Sequence, residues 1–183
     1  GYQAKMNVTE TLIIECGNIV SYDYDIELVE GWNMIGYLHQ DSYDIVEMMS
    51  TMNAANLIIV KDQSGNVYWP QFGLNSIGNM NPGKGYQAKL AGSWNFSFPS
   101  SGGARYGDIY VERPVHFEEP SNTGNNMIIG LPLTSWESTP SIGDEIAAYG
   151  EDGELIGSTT FQGNHIALTV WGDDLTTDKK DGL

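Results

Sequence analysis

The chain has 183 residues, with 24 Asp and Glu against 8 Lys and Arg, a net charge of −16 at neutral pH. A surface this acidic repels phosphate backbones and anionic lipid headgroups, so it argues against nucleic acid as a partner and against anionic membranes. The 40% hydrophobic content can build a packed core, which argues against a disordered chain, and 22 Gly beside many Asn, Ser and Thr suit strands joined by tight turns.

The chain opens on GYQAKM at residues 1–6, then a strand-like run at 11–15, TLIIE. Cys16 ends that run and is the only cysteine, so no intrachain disulfide can form and a buried, inert thiol is expected. Residues 85–90 read GYQAKL, an offset of 85 − 1 = 84 residues, and a second strand-like run, WNFSF at 94–98, follows that copy. Five identical residues and a shared downstream strand predict an internal repeat. The second copy closes a module. Residues 1–24 then read as the closing strands of a preceding module, cut off from its body. Tyr2, Ala4, Met6, Leu12 and Ile14 are the expected assembly positions, because such strands need a pairing partner.

A middle module spans residues 25–99. Ile26–Leu38 predicts a strand pair or a strand bent at Gly31. A short helix is expected over about 41–53, capped by Asp41 or Ser42, because Ile45, Met48, Met49 and Met52 fall on one helical face. Strands at 57–61 and 66–69 flank DQSG at 62–65, a hairpin signature. Residues 81–85 form a turn before GYQAKL.

Residues 100–105 are Ser- and Gly-rich and read as a linker. A second β module, incomplete at its C-terminal end, covers 106–183. It holds a strand at 108–117, NTGNNM at 122–127, a hairpin at 143–160 with an Asp152-Gly153 turn, and a core strand at 165–171. GWNMIG at 31–36 resembles GNNMII at 124–129, which suggests one β topology in both modules. The expected fold class is therefore mostly β, with β-sandwich-like modules, short hairpins and one short helix. No apolar stretch approaches the roughly 20 residues of a membrane helix, so no membrane insertion is expected.

Several of these runs, in order, resemble paired β-rich modules of bacterial surface proteins exported by the type IX secretion route. GWNMI at 31–35, the hairpin KDQSGNVYWP at 61–70 and PGKGYQ at 82–87 resemble the first kind. NTGNNM at 122–127, GDEIAA at 143–148, DGELIGS at 152–158 and WGDDLTTDKKDGL at 171–183 resemble the second. The resemblance covers about residues 25–183. It implies an extracellular, cell-surface protein with a non-catalytic role, and further strand sequence after the closing DGL.

No nucleophile elbow, HExxH, P-loop or GxGxxG is present, and no enzyme activity is expected. His39, His116 and His165 lack metal-ligand spacing. Asp173, Asp174, Asp178 and Asp181 form an acidic tail that could offer oxygens to Ca²⁺, although Lys179 and Lys180 interrupt it and a solvated turn is the plainer reading. Trp32, Trp69 and Trp171 lie in strand runs and are expected in the core. Trp136, in a loop-like stretch, is the exposed candidate for stacking on a sugar. The leading expectation is a structural or adhesive module whose partners are other copies of itself or neighbouring modules, joined into filaments by strand complementation. The rival is a carbohydrate-binding module, with glycans as ligands, attached to a secreted multidomain enzyme.

Overall fold

Short apolar alternations between Gly- and Asn-bearing turns give strands that bury one face each. The computed structural model describes residues 8, 20–100, 114–118, 120–174 and 182. They are mostly β, in small antiparallel sheets with one short α-helix, as the β-sandwich-like class predicts. The chain divides into two compact units: Gly1–Ile58 with Asn79–Tyr106, and Ile59–Gly78 with Gly107–Leu183.

In the first unit, β1 (Ile26–Leu28) and β2 (Gly31–Gly36) run antiparallel to β9 (Trp94–Phe96) and β8 (Gly85–Leu90). Between β1 and β2 the chain bends at Val29 and Glu30, and Gly31 follows with φ +90°, a value only glycine adopts cheaply. Asn33 holds this bend on one strand. Asn56 holds the facing one: its carbonyl accepts the Ala91 N–H at 2.8 Å and its Nδ2 donates to the Gly92 carbonyl at 2.9 Å.

β3 (Tyr43–Asp44) pairs β7 (Asn79–Met80) and runs straight into α1 (Ile45–Met48). The helix is shorter than the expected 41–53, and its cap is Asp44, whose Oδ1 accepts the Val46 N–H at 3.0 Å. Tyr43 and Asp44 are held in the ladder with β7, so the helix cannot begin at Asp41 or Ser42. The four apolar positions of the predicted stripe, Ile45, Met48, Met49 and Met52, are all buried, although Met49 only caps the helix and Met52 lies beyond it.

Trp32 departs from expectation. Strand alternation sends Ile35 inward and Trp32 and Met34 outward, leaving them 49% and 57% exposed. An apolar residue in a strand run is not thereby a core residue; its parity decides.

β4 (Leu57–Lys61) contains the change of unit, after Ile58. In the second unit it pairs β5 (Val67–Trp69), which pairs β6 (Leu74–Asn75) after a 3-10 turn at Pro70–Phe72. Asp62 closes the β4–β5 turn, its Oδ1 accepting the N–H groups of Ser64 and Asn66. β10 (Asn126–Leu131) pairs β13 (Ile166–Trp171), and β11 (Glu145–Tyr149) pairs β12 (Leu155–Thr160). Ile156 and Phe161 pack with Leu168 and Val170 to make the core, and Ile129 and Leu131 lie against it. Gly157 permits this approach, since a Cβ there would stand 2.4 Å from the Thr169 carbonyl oxygen. The opposite parity of β10 and β13 meets the β4–β5 hairpin. Asn126 accepts from Lys61, Thr169 Oγ1 donates to the Gly65 carbonyl, and Gly130 faces the Trp69 ring. The β4–β5 hairpin thus packs on one face of the β10–β13 pair.

The likeness of GWNMIG to GNNMII has a counterpart in pairing. β2 pairs the closing strand β8, and β10 pairs β13, the last strand among the described residues. Met34 and Met127, aligned in the two motifs, are both more than half exposed.

Candidate functional site

The repeated hexapeptide is the feature the sequence singles out, and its second copy is strand β8. All six residues pair with β2, from Gly85 opposite Gly36 to Leu90 opposite Gly31. Alternation places Tyr86, Ala88 and Leu90 inward, exposed by only 3%, 0% and 1%. The Tyr86 hydroxyl accepts the Asn81 N–H at 2.9 Å, which ties the preceding turn to the strand. Gln87 and Lys89 point outward, and the Lys89 ammonium sits 5.7 Å from the centre of the Trp32 ring on the neighbouring strand.

The first copy aligns with this pattern residue by residue. At the 84-residue offset, Tyr2, Ala4 and Met6 correspond to Tyr86, Ala88 and Leu90. Leu12 and Ile14 correspond at the same offset to Phe96 and Phe98, both fully buried in the first unit. Phe96 and Phe98 meet edge to face at 4.8 Å, and Phe98 meets Tyr37 in the same way at 5.4 Å. The five expected assembly positions therefore match five core-facing positions of the second copy. Tyr2, Ala4, Met6, Leu12 and Ile14 themselves lie outside the described residues, as does Cys16.

The acidic tail is divided in the same way. Asp173 and Asp174 follow β13 and are half-buried, while Asp178 and Asp181 lie outside the described residues. Among the described residues no three His, Cys, Asp or Glu side chains come together as a metal site. Trp136 is half-buried and packs on the core of the second unit, with its indole Nε1 buried and unpaired. Trp171 is buried as expected. His39 is buried between Tyr22, stacked on it at 4.9 Å, and the ring edges of Tyr43 and Phe98, with Nε2 donating to the Pro99 carbonyl. His165 Nδ1 accepts the Leu133 N–H.

Glu145, inside the GDEIAA motif, has a different task. Its carboxylate accepts the backbone N–H groups of Val115, His116 and Phe117 at 2.7–2.9 Å. Successive N–H groups of this kind form a nest for an anion, and here the protein's own carboxylate fills it. Desolvation opposes the charge, but the N–H groups of His116, Phe117 and Val115 outweigh it and hold the Glu145 pKa below the ordinary value.

Lys61 is the position that sequence reading passed over. It shares its parity on β4 with Leu57 and Ile59, which are core residues, and it is 8% exposed. The signal was available: a lysine stands where the alternation of LIIVK asks for an apolar side chain. No family model, no curated protein and no solved structure matches the chain.

Proposed function

We propose that this chain is a non-catalytic structural or adhesive module of a secreted bacterial surface or filament-forming protein, and that neighbouring copies join by strand complementation. One observation carries the reading. The GYQAK strand of the second copy is paired along its whole length with a GWNMIG strand, and the first copy carries the same inward residues. A strand with that alternation, offered to the outer edge of a neighbour's β2, an end strand of its sheet among the described residues, has main-chain bonds for affinity and Tyr2, Ala4, Met6, Leu12 and Ile14 for register. Contacts of this head-to-tail kind build open filaments. The polar side chains fit a scaffold, since Asn33, Asn56, Asp62 and Glu145 each hold main chain in place. The motif resemblance to type IX-exported surface modules supports the extracellular setting. Electron microscopy and light scattering of the full chain test the reading. Assemblies that grow with concentration, and that vanish in a Tyr2→Asp/Leu12→Asp variant with an unchanged thermal transition, are expected. A monomer at all concentrations, with residues 1–15 packed on their own chain, would overturn it.

A second reading has its own observation. Trp32 presents an indole on the outer strand face beside Lys89 and Gln87, an arrangement suited to stacking and hydrogen bonding with a sugar. That would be a carbohydrate-binding module whose contact residue is Trp32 in place of Trp136. A glycan array separates the two, with signal lost in Trp32→Ala and kept in Trp136→Phe.

A further inference from the structure

Lys61 and Asn126 form an unusual pair. They come from β4 and β10, both parts of the second unit at these positions, and 65 residues separate them in sequence. The Lys61 Nζ donates to Asn126 Oδ1 at 2.8 Å. Two neighbouring bonds hold the two segments in register. Asn122 Nδ2 donates to the Gln63 carbonyl at 2.8 Å, and Thr169 Oγ1 donates to the Gly65 carbonyl at 2.9 Å. Gly65 lets the turn sit this close, for a Cβ there would stand 2.7 Å from a Thr169 methyl.

A charged ammonium is costly at a core-facing position, whereas a neutral amine is both tolerated there and nucleophilic. Desolvation lowers the Lys61 pKa and so raises the share present as amine above that of an ordinary lysine. The hydrogen bond sets that amine against the carboxamide group. A pair held in this way reacts as one molecule with itself, which removes most of the entropic barrier to an otherwise slow aminolysis.

We propose that Lys61 and Asn126 are a self-modification site, at which Nζ displaces ammonia from the side-chain amide to form an intramolecular isopeptide bond. From the neutral amine, the Nζ–Cγ bond forms and the Cγ–Nδ2 bond breaks. One proton passes from Nζ to Nδ2, which leaves as ammonia. Nothing is oxidised or reduced, and no co-reactant is consumed. Asp173 lies two residues beyond Trp171, the register partner of Asn126. The link would staple the β4–β5 hairpin to the β10–β13 layer, whatever the chain assembles with. The inference stands independently of the assembly reading.

The test is mass spectrometry of the full-length, denatured protein after incubation at neutral pH. The expected mass is lower than that of the sequence by one ammonia, and proteolysis is expected to release a branched peptide joining Lys61 to Asn126. Lys61→Arg and Asn126→Ala are each expected to restore the full mass of their own sequences. Because either variant could fold poorly, the wild-type peptide map decides the matter by itself. A full wild-type mass with Lys61 in a linear peptide would overturn the proposal, and so would an ammonia loss mapped to any other residue.

Discussion

Asn33 grips Val29 by both main-chain groups. Its Oδ1 accepts the Val29 N–H at 2.9 Å and its Nδ2 donates to the Val29 carbonyl at 2.8 Å, with a further bond to the Gly31 carbonyl at 3.1 Å. The side chain therefore replaces the ladder bonds that the bend between β1 and β2 gives up. Asn33→Ala is expected to destabilise the first unit by about 1–2 kcal/mol, as befits part-exposed hydrogen bonds. Asn33→Asp keeps the acceptor and loses the donor, so it is expected to fall between the two. Urea unfolding with an unchanged m value is the measurement.

The outward turn of Trp32 and the burial of Phe96 predict opposite responses to truncation. Phe96 is fully buried and packs against Phe98. Phe96→Ala is expected to cost about 3–5 kcal/mol, the range for a large aromatic removed from a core. Trp32→Ala removes a half-exposed ring and one cation–π contact, and about 1 kcal/mol or less is expected. Thermal unfolding of the two variants side by side tests the parity of β1, β2 and β9. Equal losses would mean that Trp32 belongs to a packed interface.

Much of this fold was legible in sequence because its signals are local. The turn residues around Gly65 and Gly153 mark hairpins that the structure contains, and the Ile45–Met52 stripe marks four buried positions, of which Ile45 and Met48 are helical. Trp32 was misread because residue type gives the hydrophobicity of a side chain but not the face on which a strand presents it. The role of Glu145 was out of reach, since its three N–H donors lie about 30 residues earlier, in a segment with no motif of its own. The Lys61–Asn126 pair is likewise long-range. Only the lysine's parity hinted at it, and nothing local named its partner. The 84-residue repeat was plain, but it took the β2–β8 register and the burial of Phe96 and Phe98 to show that its five assembly positions match core-facing ones.

Gly65 and Gly143 share a positive φ but differ in surroundings. Gly65 has φ +85° and a Thr169 methyl where a Cβ would go, while Gly143 has φ +97° and open space around it. Gly143→Ala is expected to cost about 1–2 kcal/mol, the conformational penalty alone. Gly65→Ala adds a clash with a β-branched side chain that is already hydrogen-bonded to the Gly65 carbonyl, so a larger loss is expected. Gly65→Ala/Thr169→Ser, which removes the methyl, is expected to recover part of the difference. A double-mutant cycle read by denaturant midpoint checks it.

Glu145 predicts a pH response with a defined sign. Its folded-state pKa lies below the ordinary 4.5, through the N–H groups it accepts from His116, Phe117 and Val115 against an opposing desolvation. The ionised carboxylate is therefore favoured by folding. The stability it contributes is complete above the unfolded pKa and is lost as pH falls through the lower, folded value. Amide exchange at Val115, His116 and Phe117 should be slow at neutral pH and should speed up, beyond the intrinsic pH trend, only in acid below that ordinary value. In Glu145→Gln a single carbonyl oxygen must serve amides that two carboxylate oxygens served before, and its NH₂ group faces donors. The same amides are expected to exchange quickly at neutral pH and to lose the acid transition. A Glu145→Gln protein that keeps slow exchange at these three positions would show that the strand geometry, not the carboxylate, holds the segment.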